Sequence, residues 1–581
     1  MSDQPHAATK PLHKNEQLKA ESRFLRGHIR RDLEDPASGT ITEESSQLTK
    51  FHGIYPQDDR DLRVQRRKEG KEKAYIFMAR VRVPGGVCTP EQWLALDRVS
   101  DEHGNGTLKI TNRQSFQLHG VLKGNLRPAI NAVNRALLDT LAACGDVNRN
   151  VMCNPNPHVS RLHAETLGIA KAVAGHLLPK TRAYHELWVD DTLVGGADPD
   201  ADEEPMYGRT YLPRKFKIAF AIPPSNDVDV YTNDVGFIAI VGEGGRLEGF
   251  NIIVGGGMGM SHNQPETYPR LADVLGFCTP DQAVRVAEAI LTVQRDFGDR
   301  TDRKHARFKY TVADRGVVWI RSEVERRLGW ELGSPRRYEF TDSGDRYGWV
   351  DGPNGDWHFT LFIENGRVKD RTKAALREIA KIHKGDFRLT PNQHLIIASV
   401  SAAERPAIEA ILAAHGLDGA HKASLLRLNA MACVALPTCG LALAESERYL
   451  PDVITHLEAE VEAAGLRDDA ILIRMTGCPN GCGRPYLGEI AFVGKAPGKY
   501  AMYLGAAFNG SRMNSMYRGV VAAADIVPTV RPLLRRYAAE RHTGERFGDF
   551  VVRVGIVSPT GKPADFHEKA LEKAAPQAME I

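Results

Sequence analysis

Gly106-Thr-Leu-Lys-Ile-Thr-Asn-Arg-Gln-Ser-Phe-Gln-Leu-His-Gly-Val121 aligns without a gap on Gly385-Asp-Phe-Arg-Leu-Thr-Pro-Asn-Gln-His-Leu-Ile-Ile-Ala-Ser-Val400. The offset is 279, with Gly, Thr, Gln and Val identical at matched places. Further along, Arg127-Pro-Ala-Ile130 meets Arg405-Pro-Ala-Ile408 at offset 278. Each predicts the opening of a helix, because proline suits a first turn. In the first copy, apolar residues recur at Leu126, Ile130, Val133, Leu137 and Leu141. Val151-Met-Cys153 with Pro157 then lines up with Met431-Ala-Cys433 with Pro437, at offset 280. A last echo pairs Ile238-Ala-Ile-Val-Gly242 with Ile490-Ala-Phe-Val-Gly494. Matches in one order at nearly one offset mark an internal duplication. The expected fold is therefore α+β and pseudo-twofold, with halves over about 71–345 and 346–565 and a cofactor between them.

Tyr75-Ile-Phe-Met-Ala-Arg-Val-Arg-Val83 predicts a strand, stopped by Pro84-Gly85-Gly86. Before it, residues 1–70 are rich in charge and poor in apolar periodicity, which predicts a partly ordered extension. The remainder divides into 71–145, 146–345, 346–421 and 422–581. At 581 residues, a soft prior of about four domains fits that division. The net charge of +3, from 76 basic and 73 acidic side chains, excludes a nucleic-acid binder working through a broad basic face. Residues 1–26 are polar and hold Asp3, Glu16 and Glu21, unlike a signal or transit peptide. No apolar run reaches 18 residues, and a reducing cytoplasm is the expected location.

Eight cysteines are too few for a disulfide framework, but four of them are concentrated. Cys433-Val-Ala-Leu-Pro-Thr-Cys439 is C-x5-C, and Cys478-Pro-Asn-Gly-Cys482 is C-x3-C. Four thiolates suit either tetrahedral zinc or an iron–sulfur cluster. Structural zinc usually draws on C-x2-4-C knuckles, so the longer spacing favours the cluster. A zinc-stabilised scaffold protein is the non-enzymatic alternative. Cys88, Cys144, Cys153 and Cys278 read as small buried residues.

The first copy is basic or polar where the second is bland: Arg113, Gln117 and His119 stand opposite Asn392, Ile396 and Ala398. Arg80 and Arg82 are two apart on a strand and predict one shared face, as do Lys215 and Lys217. Arg149 sits just before Cys153. Cations embedded in apolar strands point to an anion-binding cavity. Gly255-Gly-Gly-Met-Gly259 is a weak phosphate-loop candidate, since no helix-forming segment follows before Pro265. No convincing NAD(P) or flavin site is visible, so redox chemistry here would draw electrons from another protein.

The cysteine pairs, Thr111-Asn-Arg-Gln-Ser-Phe-Gln-Leu-His-Gly120 and Tyr211-Leu-Pro-Arg-Lys-Phe-Lys217 resemble the sirohaem-dependent sulfite and nitrite reductases. The resemblance runs from Phe51-His-Gly-Ile-Tyr55 to Gly548-Asp-Phe550, nearly the whole chain. It implies ferredoxin-like subdomains around a central cofactor, and a 4Fe–4S cluster on Cys433, Cys439, Cys478 and Cys482. Cys482 would also bridge to the sirohaem iron. Arg80, Arg149, Lys215 and Lys217 would grip the substrate anion, with the two lysines as proton donors. Arg113, Gln117, His119, Arg214 and Arg307 would meet sirohaem carboxylates. The implied reaction is six-electron reduction of sulfite to sulfide in cysteine biosynthesis, with a separate NADPH-dependent flavoprotein subunit as donor, docked partly through the N-terminal extension of residues 1–70. Lys217 favours sulfite, because nitrite reductases of this family typically carry asparagine there. Ferredoxin-dependent sulfite or nitrite reduction is the rival within the family.

Overall fold

The computed structural model describes residues 10–156, 160–180, 187–189, 192–195 and 204–567. Two antiparallel five-stranded sheets and two mixed five-stranded sheets repeat the same design. The first antiparallel sheet orders Ile54–Asp58, Tyr75–Val81, Phe116–Val121 and Leu108–Ile110. Its last strand, Arg367–Val368, comes from the other half and pairs Arg367 with Lys109 and Val368 with Leu108. The second antiparallel sheet orders Gly348–Asp351, Trp357–Leu361, Leu395–Val400 and Asp386–Leu389. Val87–Cys88 of the first half completes it, with Cys88 opposite Phe387 and Val87 opposite Arg388. The halves thus exchange equivalent short strands, and each crosses the boundaries drawn from sequence.

The mixed sheets match strand for strand. In the first, Met152–Cys153, Ile218–Ala221 and Val235–Val241 run parallel, and Leu247–Val254 and Asp273–Cys278 follow antiparallel. In the second, the order is Ala430–Ala432, Ile473–Thr476, Ile490–Ala496, Lys499–Leu504 and Ser515–Ala522, with the same pattern of directions. The central parallel strands Ile218–Ala221 and Ile473–Thr476 are buried at every residue, as strands covered on both faces are.

The duplication extends to backbone conformation. Gln114 and Gln393 both adopt positive φ, 49° and 75°, in the matched Thr-x-x-Gln turns. Gly86 and Gly366 lie at φ 76° and 70°. A Cβ on Gly86 would fall 2.7 Å from the Leu389 carbonyl oxygen, and one on Gly366 would fall 2.4 Å from that of Ile110. Only glycine lets each half approach the other this closely. Around these contacts one hydrophobic core spans both antiparallel sheets, with fully buried Trp93 between Phe116 (ring centroids 5.6 Å) and Phe387 (5.3 Å).

Three sequence expectations change. The N-terminal segment is built into the core from residue 10 onward, as helices Lys14–Glu21, Ile29–Glu34 and Glu43–Thr49 and an edge strand. Leu25, Leu48 and Phe51 are buried in the first half's core. Buried Lys19 is held by Glu16 at 2.6 Å and the Leu212 carbonyl at 2.9 Å. A segment fastened by buried ion pairs and isolated apolar anchors shows no periodic stripe, which is why it read as an extension. The helix at Arg127-Pro ends at Arg135, earlier than the apolar spacing suggested, and Leu137 is left-handed (φ 57°) and 90% exposed. Arg82 does not share a cavity with Arg80: the strand ends at Val81, and Arg82 turns to the Ala174 carbonyl. Pro157 lies outside the described residues.

Candidate functional site

The mixed sheets bring their parallel edges together at the site. Cys433 follows the strand Ala430–Ala432 and Cys478 follows Ile473–Thr476, so both leave the C-terminal ends of adjacent parallel strands, where open α/β sheets form crevices. All four cysteines are free thiols: Cys478 is buried, Cys433 and Cys439 half-buried, and Cys482 exposed. Backbone and side-chain amides reach the sulfurs, from Gly477 N to Cys433 Sγ at 3.4 Å and from Asn480 Nδ2 to Cys478 Sγ at 3.5 Å. Burial, then Cys482, pushes the Cys478 thiol up to about 11. Cys433 is raised further by burial and by Cys482, Cys439 and Cys478. Thiols that suppress one another's ionisation need a cationic centre among them before they can all become thiolates. Among the described residues, no three of His, Cys, Asp and Glu converge tightly enough for a single ion. A tetrahedral zinc site would hold its sulfurs about 3.8 Å apart, whereas a cube carries its ligands on separate corners. The soft, mutually coupled donor set fits an iron–sulfur cluster.

Facing the thiols is a crowd of cations. Lys215 is held well below its ordinary range by burial and by Arg214, Arg307, Lys217 and Arg149. Lys217 is brought down to about 7 by burial, Arg113 and Arg307, while Asp234 and the Cys482 thiol pull the other way. Burial lowers Arg113 to about 9 and Arg214 to about 10. Arg113 donates to the Ile218 carbonyl at 3.0 Å and to Asn233 Oδ1 at 2.9 Å, but its buried Nε has no partner. Arg149 is tied through Nε to the Gly145 carbonyl at 2.9 Å. Arg307 is bound by both Asp234 oxygens at 2.9 Å, so its charge is largely answered. Uncompensated cations held together by the fold make a cavity that stabilises anions. A macrocycle carrying eight carboxylates, as sirohaem does, and a small dianion match that demand.

Arg80 joins the two parts. Burial works against its charge, while Cys144, Tyr55 and Cys482 favour it, and its Nη1 lies 2.9 Å from Cys144 Sγ. With the Gln117 amide turned so that its oxygen meets Arg80 (2.5 and 3.1 Å), its nitrogen donates to His119 Nε2 at 3.1 Å. His119 is buried and kept neutral by burial and by Arg367, so it positions Gln117 without adding charge. Its Nδ1 is buried without a partner.

All thirteen residues singled out from the sequence lie in or beside this site; Arg82 does not. Sequence reasoning missed several neighbours. Tyr55 and Cys144 border Arg80, and burial raises the Tyr55 phenol to about 12. Asn112 donates to the Cys482 carbonyl. Arg484, in the cysteine loop, is paired with Asp229 at 3.0 Å, as is Arg474 at 2.7 Å. Asn112 had a visible signal, since it adjoins Arg113 in the repeat; the others had none. The glycine run is a contact loop. Met260 N donates to the Pro479 carbonyl at 3.0 Å, and a Cβ on Gly256 would fall 2.1 Å from the Tyr231 carbonyl oxygen. On the far side, a Cβ on Gly257 would meet the Arg307 guanidinium at 2.9 Å. Cys153 aligns with Cys433 but is enclosed by Gln114, which bonds its N–H at 3.0 Å and its carbonyl at 2.8 Å.

Comparisons with known proteins agree with this geometry. A nitrite/sulfite reductase ferredoxin-like half-domain model matches residues 68–136 and 350–415, one match in each half. The nitrite and sulphite reductase 4Fe-4S domain model matches 170–332. The sulfite reductase (NADPH) hemoprotein beta-component of Geobacillus kaustophilus is 59% identical over 95% of this chain and 97% of its own length. That of Shouchella clausii is 53% identical over 98% of this chain and 100% of its own. The structure of Mycobacterium tuberculosis NirA protein superposes with a TM-score of 0.77 at 25% identity, covering 94% of this chain and 97% of that one. Duplicated half-domains, a cysteine quartet and near-full-length identity converge, and the chain belongs to the nitrite and sulfite reductase family.

Proposed function

We propose that this protein reduces sulfite to sulfide, with the four cysteines holding a 4Fe–4S cluster and the cationic cavity holding sirohaem and the substrate. The observation that carries the reading is the crowd of poorly compensated cations, Arg113, Arg149, Lys215 and Lys217, set against a quartet of coupled thiols. When bound, the sirohaem and cluster supply an iron that accepts the substrate's sulfur and the route for six electrons. The chain's own residues do the rest. Arg80, Arg149, Lys215 and Lys217 hold the sulfite oxygens and answer their charge, and fixed cations need no reorganisation as the oxygens leave. Turning sulfite into hydrosulfide and three waters consumes seven protons. A lysine near neutrality can give up a proton and regain it, and Lys217 at about 7 is suited to that. Arg113 and Arg214 would meet the carboxylates of the macrocycle, and Gln117, set by His119, orients Arg80. A dianion with three oxygens uses this many cations better than nitrite does.

Relatives are named for NADPH and as a beta-component. NADPH delivers hydride, and a cluster accepts one electron at a time, so a flavin must lie between. The electrons therefore come from a separate NADPH-dependent flavoprotein subunit, in hetero-oligomeric assembly. Among the described residues no helix is long and apolar enough to cross a membrane, in keeping with an enzyme working in the cytoplasm. The test is direct. The isolated protein should be coloured, carry about five irons and no zinc, and turn over sulfite with an artificial reductant in preference to nitrite. A colourless zinc protein would end this reading.

A further inference from the structure

Residues 60–68 form a basic surface fastened to the cysteine loop. The Arg60 guanidinium donates to the carbonyls of Cys439 (3.3 Å) and Ala442 (2.6 Å), and its N–H to that of Pro437 at 3.3 Å. Arg448 ties Asp61 to the same region at 2.6 Å. The helix that follows, Arg63–Lys68, buries none of its residues. Of its basic side chains, Arg67 and Lys68 have no acidic partner among the described residues. Large apolar side chains are exposed here as well: Leu62 is 41%, Val64 55% and Leu441 66% exposed. These are three of the eleven large apolar residues exposed in the described structure. A helix that buries no residue and is tied down chiefly by the Arg63–Asp58 ion pair gains little from packing, so its place beside the cysteine loop calls for another explanation.

We propose that this face, with Leu62, Val64 and Leu441 at its centre and Arg67 and Lys68 at its rim, is where the electron-donating flavoprotein docks through an acidic surface. An apolar centre inside a charged rim is the anatomy of a protein interface, and a small one suits a transient redox complex. Half-buried Cys439, one of the four cysteines proposed to hold the cluster, adjoins this face, its carbonyl held by the same arginine that anchors the surface. Basic residues at the rim would steer an acidic partner and make association sensitive to salt. The docking site thus takes in the C-terminal end of the segment expected from sequence, residues 1–70, and joins it to Leu441 of the cysteine loop. This inference rests on the function proposed above.

The test is charge reversal, R67E/K68E, in the loaded enzyme. NADPH-driven sulfite reduction through the flavoprotein should fall by about tenfold or more and lose its salt dependence between low salt and about 0.3 M. Sulfite reduction driven by reduced methyl viologen, which needs no docking surface, should be unchanged. Leu441→Ala should raise the flavoprotein concentration giving half-maximal rate and likewise leave the viologen rate intact. An unchanged flavoprotein-driven rate overturns the inference, and so does a parallel loss of both rates. Failure of the unaltered enzyme to reduce sulfite with methyl viologen counts against the proposed function instead. In that case flavoprotein binding, measured directly for R67E/K68E and the unaltered chain, still decides the docking site.

Discussion

Asp229→Asn isolates the electrostatic hold on the cysteine loop. Asp229 accepts ion pairs from Arg474 at 2.7 Å and Arg484 at 3.0 Å, and all three side chains are buried. Arg474 lies on the strand that delivers Cys478, and Arg484 is two residues beyond Cys482. The residue sits at φ 46°, a left-handed conformation that asparagine adopts readily, so the exchange leaves the backbone unstrained. What is lost is the charge, which strands two buried guanidinium groups. Breaking a buried pair by neutralising one partner costs about 3–5 kcal/mol. With an unfolding entropy of about 2.1 cal/mol/K per residue, a cost near 4 kcal/mol lowers Tm by about 3 °C for a chain this long. Urea titration and calorimetry of the loaded protein measure the loss, and iron per chain measures cluster retention. Stability and iron content should fall together. Arg474→Met added to Asp229→Asn removes one stranded cation and should recover part of the loss. The reasoning is refuted if Asp229→Asn stays within about 0.5 kcal/mol of the parent, or if the double variant is no better than the single one.

Three further outcomes are expected. Cys478→Ser alters a buried cysteine proposed to hold the cluster and should abolish visible iron–sulfur absorption, with iron analysis showing loss of the cluster. Lys217 is depressed from 10.5 to about 7, so it is charged below that pH and neutral above it, and sulfite affinity should weaken as pH rises through about 7. In Lys217→Met the affinity should be lower at pH 6 and this step absent, as measured by sulfite titration of the visible spectrum. Gly256→Ala places a methyl against the Tyr231 and Asn233 carbonyls and should cost about 1–3 kcal/mol in urea unfolding, with loosening of the Met260–Pro479 contact.

The repeat was legible because matched turns demand matched chemistry. Thr111 and Gln114, and Thr390 and Gln393, close equivalent turns with equivalent left-handed glutamines. The cysteine quartet was legible from spacing alone, because nothing else in the chain clusters thiols. The strand exchange was not, since Val87–Cys88 and Arg367–Val368 are two residues each and too short to carry a period. Arg82 misled because alternation holds only while the strand continues, and this one ends at Val81. The glycine run, discounted as a phosphate loop because no helix follows it, could not show its actual role, since glycine serves close approach to another loop as readily as it serves a phosphate. Arg484 and Asp229 could not be paired from sequence, because their contact depends on how the two mixed sheets face each other.

The exchanged strands also bear on how the molecule is made. Arg367 of the short strand bonds Thr107 across a separation of 260 residues, and the reciprocal strand waits for Asp386–Leu389. During synthesis the N-terminal sheet is therefore left with an open edge until well over half the chain has emerged from the ribosome. Such long-range pairing is slow and leaves an adhesive edge exposed in the meantime. The cavity walls come from both halves, so neither half can receive the prosthetic group as it is born. Loading must wait until the second cysteine pair, Cys478 and Cys482, has been made and folded against the first half, and a truncated half should accumulate as aggregate rather than as a smaller, partly active enzyme.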